Sequence, residues 1–274
     1  TVYTYDGTEK EPEVTVKDGT KVLVNVTDYD VEYSNNINAG TATVTITLKG
    51  NYGGTITKTF TIERAKTATA TASDKIYTGE LQTGVTGTHV NLIGMVEATN
   101  VGTYTVTATP RTNYAWADGS TDAKTLTWKI TAKGLDDMTA SLTPVSFEYD
   151  GTAKEPMAEV KDGENTLLDK TDYDVKYSNN INVGTAIATI TFKGNYTGTL
   201  TREFTITARK ITVKAKDVSK SYNGSALTSD VTEVVSGSLV EGHVITAQTT
   251  GSQIDVGTST NVLNSVTISD ALGN

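Results

Sequence analysis

The sequence predicts an all-β protein built as a tandem array of four small β-sandwich repeats, placed end to end. Residues 27–62 recur nearly unchanged at 171–206, an offset of 144 residues without a gap, and 39 of the 60 positions from 5 to 64 match their partners 144 residues on. Internal copying of this kind is the signature of a repeat array. Strand-like segments at short spacing, separated by turn residues and without helical periodicity, are typical of small sandwiches or barrels.

A Tyr-x-Gly motif divides the array into four. It begins at Tyr5, Tyr77, Tyr149 and Tyr222, with spacings of 72, 72 and 73 residues. A Gly-Thr pair that is predicted to open a strand recurs at Gly40, Gly102, Gly184 and Gly257, and an Asn-Tyr pair follows eleven residues after the first three of these glycines; the fourth repeat has Ile268 and Ser269 in that place. The predicted repeats are 1–64, 65–132, 133–208 and 209–274. The third copies the first, and the fourth is related to the second.

The first repeat contains six strand-like segments. They lie at 2–5, 12–17, 21–26, 28–33, 41–48 and 55–62. Lys-Asp-Gly-Thr at 17–20 is a hairpin-turn signal. In the copy, the segments 172–177, 185–192 and 199–206 alternate polar and apolar residues, so we predict a sheet with one buried face. The apolar face of the middle segment consists of Ala186, Ala188, Ile190 and Phe192.

Two glycines of the third repeat stand at turns. Gly184 and Gly194 follow Asn-rich connectors, where positive φ is common and a β-branched residue is costly. In the second repeat, Leu126, Trp128 and Ile130 share one face of a predicted closing strand and are expected in the core.

The longest connector is predicted at 131–144, which makes it the expected hinge; the other linkers run from strand to strand and favour a stiff array. The fourth repeat lacks a counterpart of 55–62, and the first lacks a counterpart of 138–144. We therefore expect the array to be clipped at both terminal repeats. The chain opens at Thr1 rather than Met, so we also expect a segment of a longer protein.

Composition excludes several classes. The 274 residues contain no Cys, so no disulfide framework is present, and no apolar run approaches the roughly 18 residues of a membrane helix. The net charge of −9 disfavours nucleic acid as a partner. The two histidines, His89 and His243, lie in similar short stretches without a nucleophile motif, and we predict that they are structural and that the chain is not an enzyme.

Ligand candidates are few. Calcium needs six to eight oxygens, often from closely spaced carboxylates. Asp136 and Asp137 lie in the longest connector, where a bridging ion could stiffen a junction, so they are the calcium candidates and no other cofactor is expected. Trp116 lies beside the turn at 117–120, is expected to be exposed, and is the candidate for stacking on a sugar. An intramolecular isopeptide bond is also considered for Lys49 with Asn51.

The chain resembles the immunoglobulin-like and MBG-type tandem repeats of bacterial cell-surface, adhesin-like proteins. The resemblance rests on YDGTAKEP at 149–156, TDYDVKYSNNINVGTA at 171–186, GNYTGT at 194–199, residues 100–130 and KDVSKSYNGSAL at 216–227, and it extends over essentially the whole chain. It implies immunoglobulin-like sandwiches, with a β-grasp-like or other small β repeat as the alternative.

The same resemblance implies a secreted bacterial surface protein whose anchor lies outside this segment. With near-identical copying and no evident site, the leading hypothesis is a non-catalytic rigid spacer or stalk whose partners are other domains of the same protein. The alternative is a module that binds a host glycan or glycoprotein. We expect no membrane insertion and no nucleic-acid partner for this segment.

Overall fold

The structure is a computed structural model that describes residues 1–270. Every helix or strand assigned among these residues is a β-strand, and the chain forms two compact units, Thr1–Lys133 and Gly134–Asn274. The all-β fold class predicted from the sequence is confirmed, as is its organisation into small β-sandwich repeats. In the described part of the chain, no helix has the length and hydropathy required to cross a membrane.

The first repeat contains six strands. They are β1 (Val2–Thr4), β2 (Lys17–Asp18), β3 (Lys21–Val22), β4 (Tyr29–Ser34), β5 (Gly40–Leu48) and β6 (Thr55–Glu63). The main sheet has the order β1-β6-β5-β4, in which β1 runs parallel to β6 and the other neighbours are antiparallel. The hairpin turn predicted at 17–20 is confirmed, since Asp18 pairs with Lys21.

The second repeat contains eight strands. They are β7 (Thr69–Ala72), β8 (Lys75–Ile76), β9 (Gln82–Thr83), β10 (Val85–Thr88), β11 (Val90–Gly94), β12 (Glu97–Ala98), β13 (Gly102–Pro110) and β14 (Lys124–Thr131). The main sheet has the order β11-β13-β14-β8, and β14 runs parallel to β8. Its core confirms the predicted inward face, because Trp128 and Ile130 are each 1% exposed. Gly84 makes room for the indole: a Cβ there would lie 1.8 Å from the Trp128 ring.

The third repeat is a two-sheet sandwich. Its strands are β15 (Met138–Thr143), β16 (Ser146–Glu148), β17 (Met157–Asp162), β18 (Asn165–Thr166), β19 (Tyr173–Ser178), β20 (Gly184–Phe192) and β21 (Thr199–Thr207). One sheet has the order β15-β17-β18 and the other β16-β21-β20-β19. Leu142 of the first sheet packs on Ala186, Ala188, Phe204 and Ile206 of the second. Gly184 and Gly194 have φ of 141° and 68°, which confirms their predicted positive-φ role.

The predictions for three segments, 131–144, 12–17 and 21–26, are corrected by the structure. Most of 138–144, expected to belong to a hinge, is an edge strand that pairs antiparallel with β17 over six residues. The first repeat has no strand paired in this position. Of the strand predicted at 12–17, residues 12–16 are not in a strand, and only residue 17 enters the short β2 (Lys17–Asp18). The predicted strand at 21–26 is likewise reduced to the two residues of β3.

The fourth repeat contains two hairpins. Its strands are β22 (Thr212–Ala215), β23 (Thr232–Ser236), β24 (Val244–Thr249) and β25 (Leu263–Ser269). β22 pairs with β23, and β24 pairs with β25. The prediction that Gly257 opens a strand is wrong, because β25 begins six residues later. Among residues 209–270 no side chain is fully buried. The sheets fall within 2–63, 69–131, 138–207 and 212–269, and the boundaries of the four predicted repeats stay a prediction.

Candidate functional site at the repeat junctions

The connector between the first and second repeats is hydrogen-bonded along its length. The Ala65 amide donates to the Asn113 carbonyl at 3.0 Å, and the Ala115 amide donates to the Ala65 carbonyl at 2.9 Å. Three residues later the Ala68 amide donates to the Ala115 carbonyl at 3.0 Å. Residues 65–68 are therefore held against 113–115 of the second repeat and do not act as a free linker.

The Asn113 side chain bridges the two repeats. Its Oδ1 accepts from the Ala39 amide at 3.1 Å, and its Nδ2 donates to Asn38 Oδ1 at 2.8 Å. Ala39 and Asn38 lie in the loop before β5 of the first repeat. One amide thus uses both its acceptor and its donor on a neighbouring repeat. Because both ends of the amide are engaged, this contact fixes orientation as well as distance.

An aromatic stack lies at the same junction. The Tyr5 ring of the first repeat meets the Tyr114 ring edge-on, with centroids 5.5 Å apart and an interplanar angle of 84°. On the second repeat, the His89 ring stacks on Tyr114 at 3.9 Å and 7°. The Thr67 hydroxyl lies 3.0 Å from His89 Nδ1. His89 takes a positive φ of 57°, a conformation uncommon for a residue with a side chain.

The second unit contains an equivalent junction. Tyr149, the copy of Tyr5, places its hydroxyl 3.5 Å from Nε2 of His243, and the two rings lie 5.9 Å apart. Beside them, Arg209 Nη2 donates to Ser238 Oγ at 2.5 Å. In the first unit, Tyr5 therefore lies beside Tyr114, on which His89 stacks. In the second unit, Tyr149 lies beside His243 itself. The matching stretches around the two histidines were the sequence signal for this contact.

The Tyr-Asp-Gly-Thr stretch also holds a buried lysine that the sequence did not reveal. Lys10 is 8% exposed, and its Nζ donates to Thr8 Oγ1 at 2.7 Å and to the Asp6 carboxylate. The Asp6 carboxylate also accepts from the Thr8 amide at 2.9 Å. The hydrogen bonds from Lys10 and Thr8 hold the pKa of Asp6 well below its usual range. Asp150, Thr152 and Lys154 form the same hydrogen-bonded cluster in the third repeat.

Trp116 is not exposed, which corrects the expectation drawn from its neighbouring turn. It is 5% exposed and packs with Ala68 and Val90, while Lys124 Nζ lies 4.5 Å from the ring centroid. Its Nε1 donates to the Asp122 carbonyl at 2.7 Å. The reason is the junction: the pairing of 113–115 with the connector directs the indole against Ala68. Ligand binding at Trp116 stays a prediction.

The calcium candidates lie immediately before β15. Asp137 has a φ of 65°, and its carbonyl accepts from the Gly163 amide at 3.2 Å. Within residues 1–270 no group of three or more His, Asp or Glu side chains is placed to hold a metal ion. Calcium binding at Asp136 and Asp137 stays a prediction.

Two further aspartates, Asp30 and Asp174, lie in the repeated Asp-Tyr-Asp stretches and form ion pairs with lysines. Asp30 Oδ1 accepts from Lys49 Nζ at 2.7 Å, and Asp174 Oδ2 accepts from Lys193 Nζ at 2.9 Å. Lys49, considered above for an isopeptide bond with Asn51, is therefore engaged in an exposed ion pair. Exposed pairs of this kind contribute little to stability, about 0.2–1 kcal/mol.

Comparisons with known proteins add little. No protein-family model matches the sequence, and no curated protein matches it. Three solved structures are similar to this chain over long stretches. Dpr2 Ig1–Ig2 in complex with DIP-Theta Ig1–Ig3 shares 8% identity, with a TM-score of 0.26, over 68% of this chain and 83% of that one. The human desmocollin-1 ectodomain shares 10%, with a TM-score of 0.21, over 99% and 77%. Protocadherin gamma B2 cadherin domains 1–5 share 10%, with a TM-score of 0.19, over 93% and 69%. TM-scores this low do not establish a shared topology.

Proposed function

We propose that this chain is a non-catalytic spacer segment of an extracellular bacterial surface protein, in which neighbouring repeats are joined stiffly and other domains of the same protein are held at a distance. The observation that carries the proposal is the junction between the first two repeats. There, Asn113 bridges to Asn38 and Ala39, and the connector is hydrogen-bonded to residues 113–115.

Stiffness follows from the number and kind of these contacts. A flexible linker leaves its backbone groups to water and allows the domains to reorient. Here the amides of Ala65 and Ala68 and the carbonyl of Ala65 are hydrogen-bonded to the second repeat. The rings of Tyr5, Tyr114 and His89 pack together at the same junction. Bending at this point would break several contacts at once. The related contact of Tyr149 with His243 supports the same role in the second unit.

The bacterial surface location rests on the sequence resemblance to surface repeats. The repeated Tyr-Asp-Gly-Thr-x-Lys stretch supports a structural role for that motif, since its Asp, Thr and Lys side chains bond to one another.

The stiffness of the junction is tested by measuring the distance between two spin labels with pulsed electron–electron double resonance. The chain contains no Cys, so spin labels attach only at introduced cysteines. Thr57→Cys on β6 and Thr125→Cys on β14 place one label on the exposed face of each repeat. We expect a narrow distance distribution between the two labels. A control chain with a Gly-Ser-Gly-Ser insertion after Lys66 gives the width of a free linker, and a wild-type distribution as broad as this control would refute the proposal.

A further inference from the structure

The first three repeats place their closing strand in the same position. β6, β14 and β21 each pair antiparallel with the Gly-Thr strand on one side. On the other side each pairs parallel with the short strand that ends just before its Tyr-x-Gly motif, namely β1, β8 and β16. The closing strand thus fills a position between two partners that are otherwise apart.

Within the described residues 209–270, the fourth repeat has the hairpin and no closing strand. β24 follows His243 as β11 follows His89, and β24 pairs with β25 as β11 pairs with β13. In the second repeat, β13 is covered on its second edge by β14. In the described residues 209–270, no strand pairs with the second edge of β25.

The two segments that flank this position have lost their strand structure. In β13, residues 102–105 pair only with β14, and residues 257–260, their counterparts in sequence position from the Gly-Thr pair, belong to no strand. Lys75 and Ile76 of β8 also pair only with β14, and their counterparts at 220–221 belong to no strand. The lack of one neighbouring strand, the counterpart of β14, explains why both segments are not strands.

An open cleft lies at this position. It has a volume of about 430 Å³, and its lining includes Lys220, Tyr222, Val256 and Gly257. By their positions relative to Tyr-x-Gly and Gly-Thr, Lys220 and Gly257 correspond to Lys75 and Gly102. In the second repeat those two residues are paired on opposite sides of one residue of the closing strand, Ile130. The cleft is therefore found where the end of a closing strand would lie.

The apolar side chains around the position are uncovered. Tyr222 is 65% exposed and Val256 is 87% exposed, while Val266 and Ile268 on one face of β25 are 37% and 39% exposed. An added strand would pair with the edge of β25 that no strand among residues 209–270 covers, and it would cover apolar side chains at alternate positions.

We propose that the fourth repeat is a strand acceptor whose cleft takes an extended polypeptide segment from outside residues 1–274. The segment lies antiparallel to β25 and carries bulky apolar side chains alternating with threonine, as Leu126, Trp128 and Ile130 do in β14. The closing strands within the described chain are already paired in their own repeats, which is why the occupant comes from elsewhere.

The probe is a synthetic peptide with the sequence of residues 122–133, added to the full chain. Backbone amide exchange at 219–221 and 257–262 should slow at least tenfold when the peptide binds. A scrambled peptide of the same composition should leave exchange unchanged. Appending residues 122–133 to residue 274 through a flexible linker should protect the same amides without added peptide and should abolish binding of the free peptide.

Three results would overturn the proposal. The first is exchange that the peptide does not slow, or that both peptides slow equally. The second is protection that develops in the second repeat, where β14 already occupies the position. The third is protection of 257–262 that depends on chain concentration in the absence of peptide, because a second copy of the chain would then be the occupant.

Discussion

Replacing Asn113 with alanine should loosen the junction between the first two repeats without unfolding either one. The substitution removes the acceptor of the Ala39 amide and the donor to Asn38 Oδ1, at 3.1 and 2.8 Å. A neutral hydrogen bond contributes about 0.5–1.5 kcal/mol net, so two contribute about 1–3 kcal/mol. Because Asn38 is exposed and water can replace its partner, we expect the lower end, about 1 kcal/mol.

The effect can be measured at a single amide. A loss of about 1 kcal/mol in the free energy of opening corresponds to roughly fivefold faster exchange of the Ala39 amide. The same variant in the spin-labelled chain should broaden the distance distribution toward that of the inserted linker. Thermal unfolding should change little, because Asn113 contributes no side chain to either hydrophobic core.

Asn51 provides the matched control. It occupies the same place in the Asn-Tyr pair of the first repeat, and within residues 1–270 no hydrogen bond of its side chain is found. Asn51→Ala should leave both the Ala39 exchange rate and the distance distribution unchanged. Equal effects from the two variants, or no effect from Asn113→Ala, would refute the reasoning that the bridging amide stiffens the junction.

Three further predictions concern stability. Gly84→Ala should lower the melting temperature of the second repeat, because its Cβ would overlap the buried indole and overpacking typically costs about 1–3 kcal/mol. Gly53→Ala is the control, because a Cβ at Gly53 meets no atom within 4 Å. Arg202→Met should destabilise the third repeat by about 1.5–3 kcal/mol, because its Nε bonds a carbonyl of the opposite sheet at 2.8 Å. Asp150→Asn should destabilise the third repeat at pH 7 but not at low pH, because hydrogen bonds from Lys154 and a threonine hold the pKa of Asp150 well below its usual range.

The sign of the last prediction follows from linkage. A carboxylate whose pKa is lowered by folding stabilises the fold above its unfolded pKa, about 3.9, and the contribution is lost as the pH falls through the folded pKa. The difference in melting temperature between wild type and Asp150→Asn should therefore become smaller as the pH falls below about 4. A difference in melting temperature that stays constant from pH 7 to 2 would contradict this prediction.

For Arg202→Met, the control is Lys58→Met at the equivalent, exposed position of the first repeat.

Local patterns predicted the long strands of the first three repeats and their buried faces. The alternation along β20 placed Ala186, Ala188 and Ile190 inward, and all three are fully buried. The same rule placed Trp128 in the core. These features depend only on the two-residue period of a strand and the turn residues at its ends, so a single stretch of sequence contains the information.

Features that depend on pairing between distant segments were not predictable in this way. The segment 138–143 is a strand because 157–162 pairs with it, and nothing in its own composition distinguished it from a linker. Trp116 is buried because residues 113–115 pair with the connector, although a turn follows it in the sequence. The roles of Tyr5 and His89 depend on contacts between repeats, and the recurrence of similar stretches around His89 and His243 was the only local signal.

The most direct test of the stiff spacer is the measurement of residual dipolar couplings across the first two repeats of the full chain. If residues 65–68 and Asn113 lock the repeats together, couplings from 1–64 and from 65–132 should fit one alignment tensor of the same magnitude and orientation. Two tensors of clearly different magnitude would mean that the repeats reorient independently, and would contradict the account.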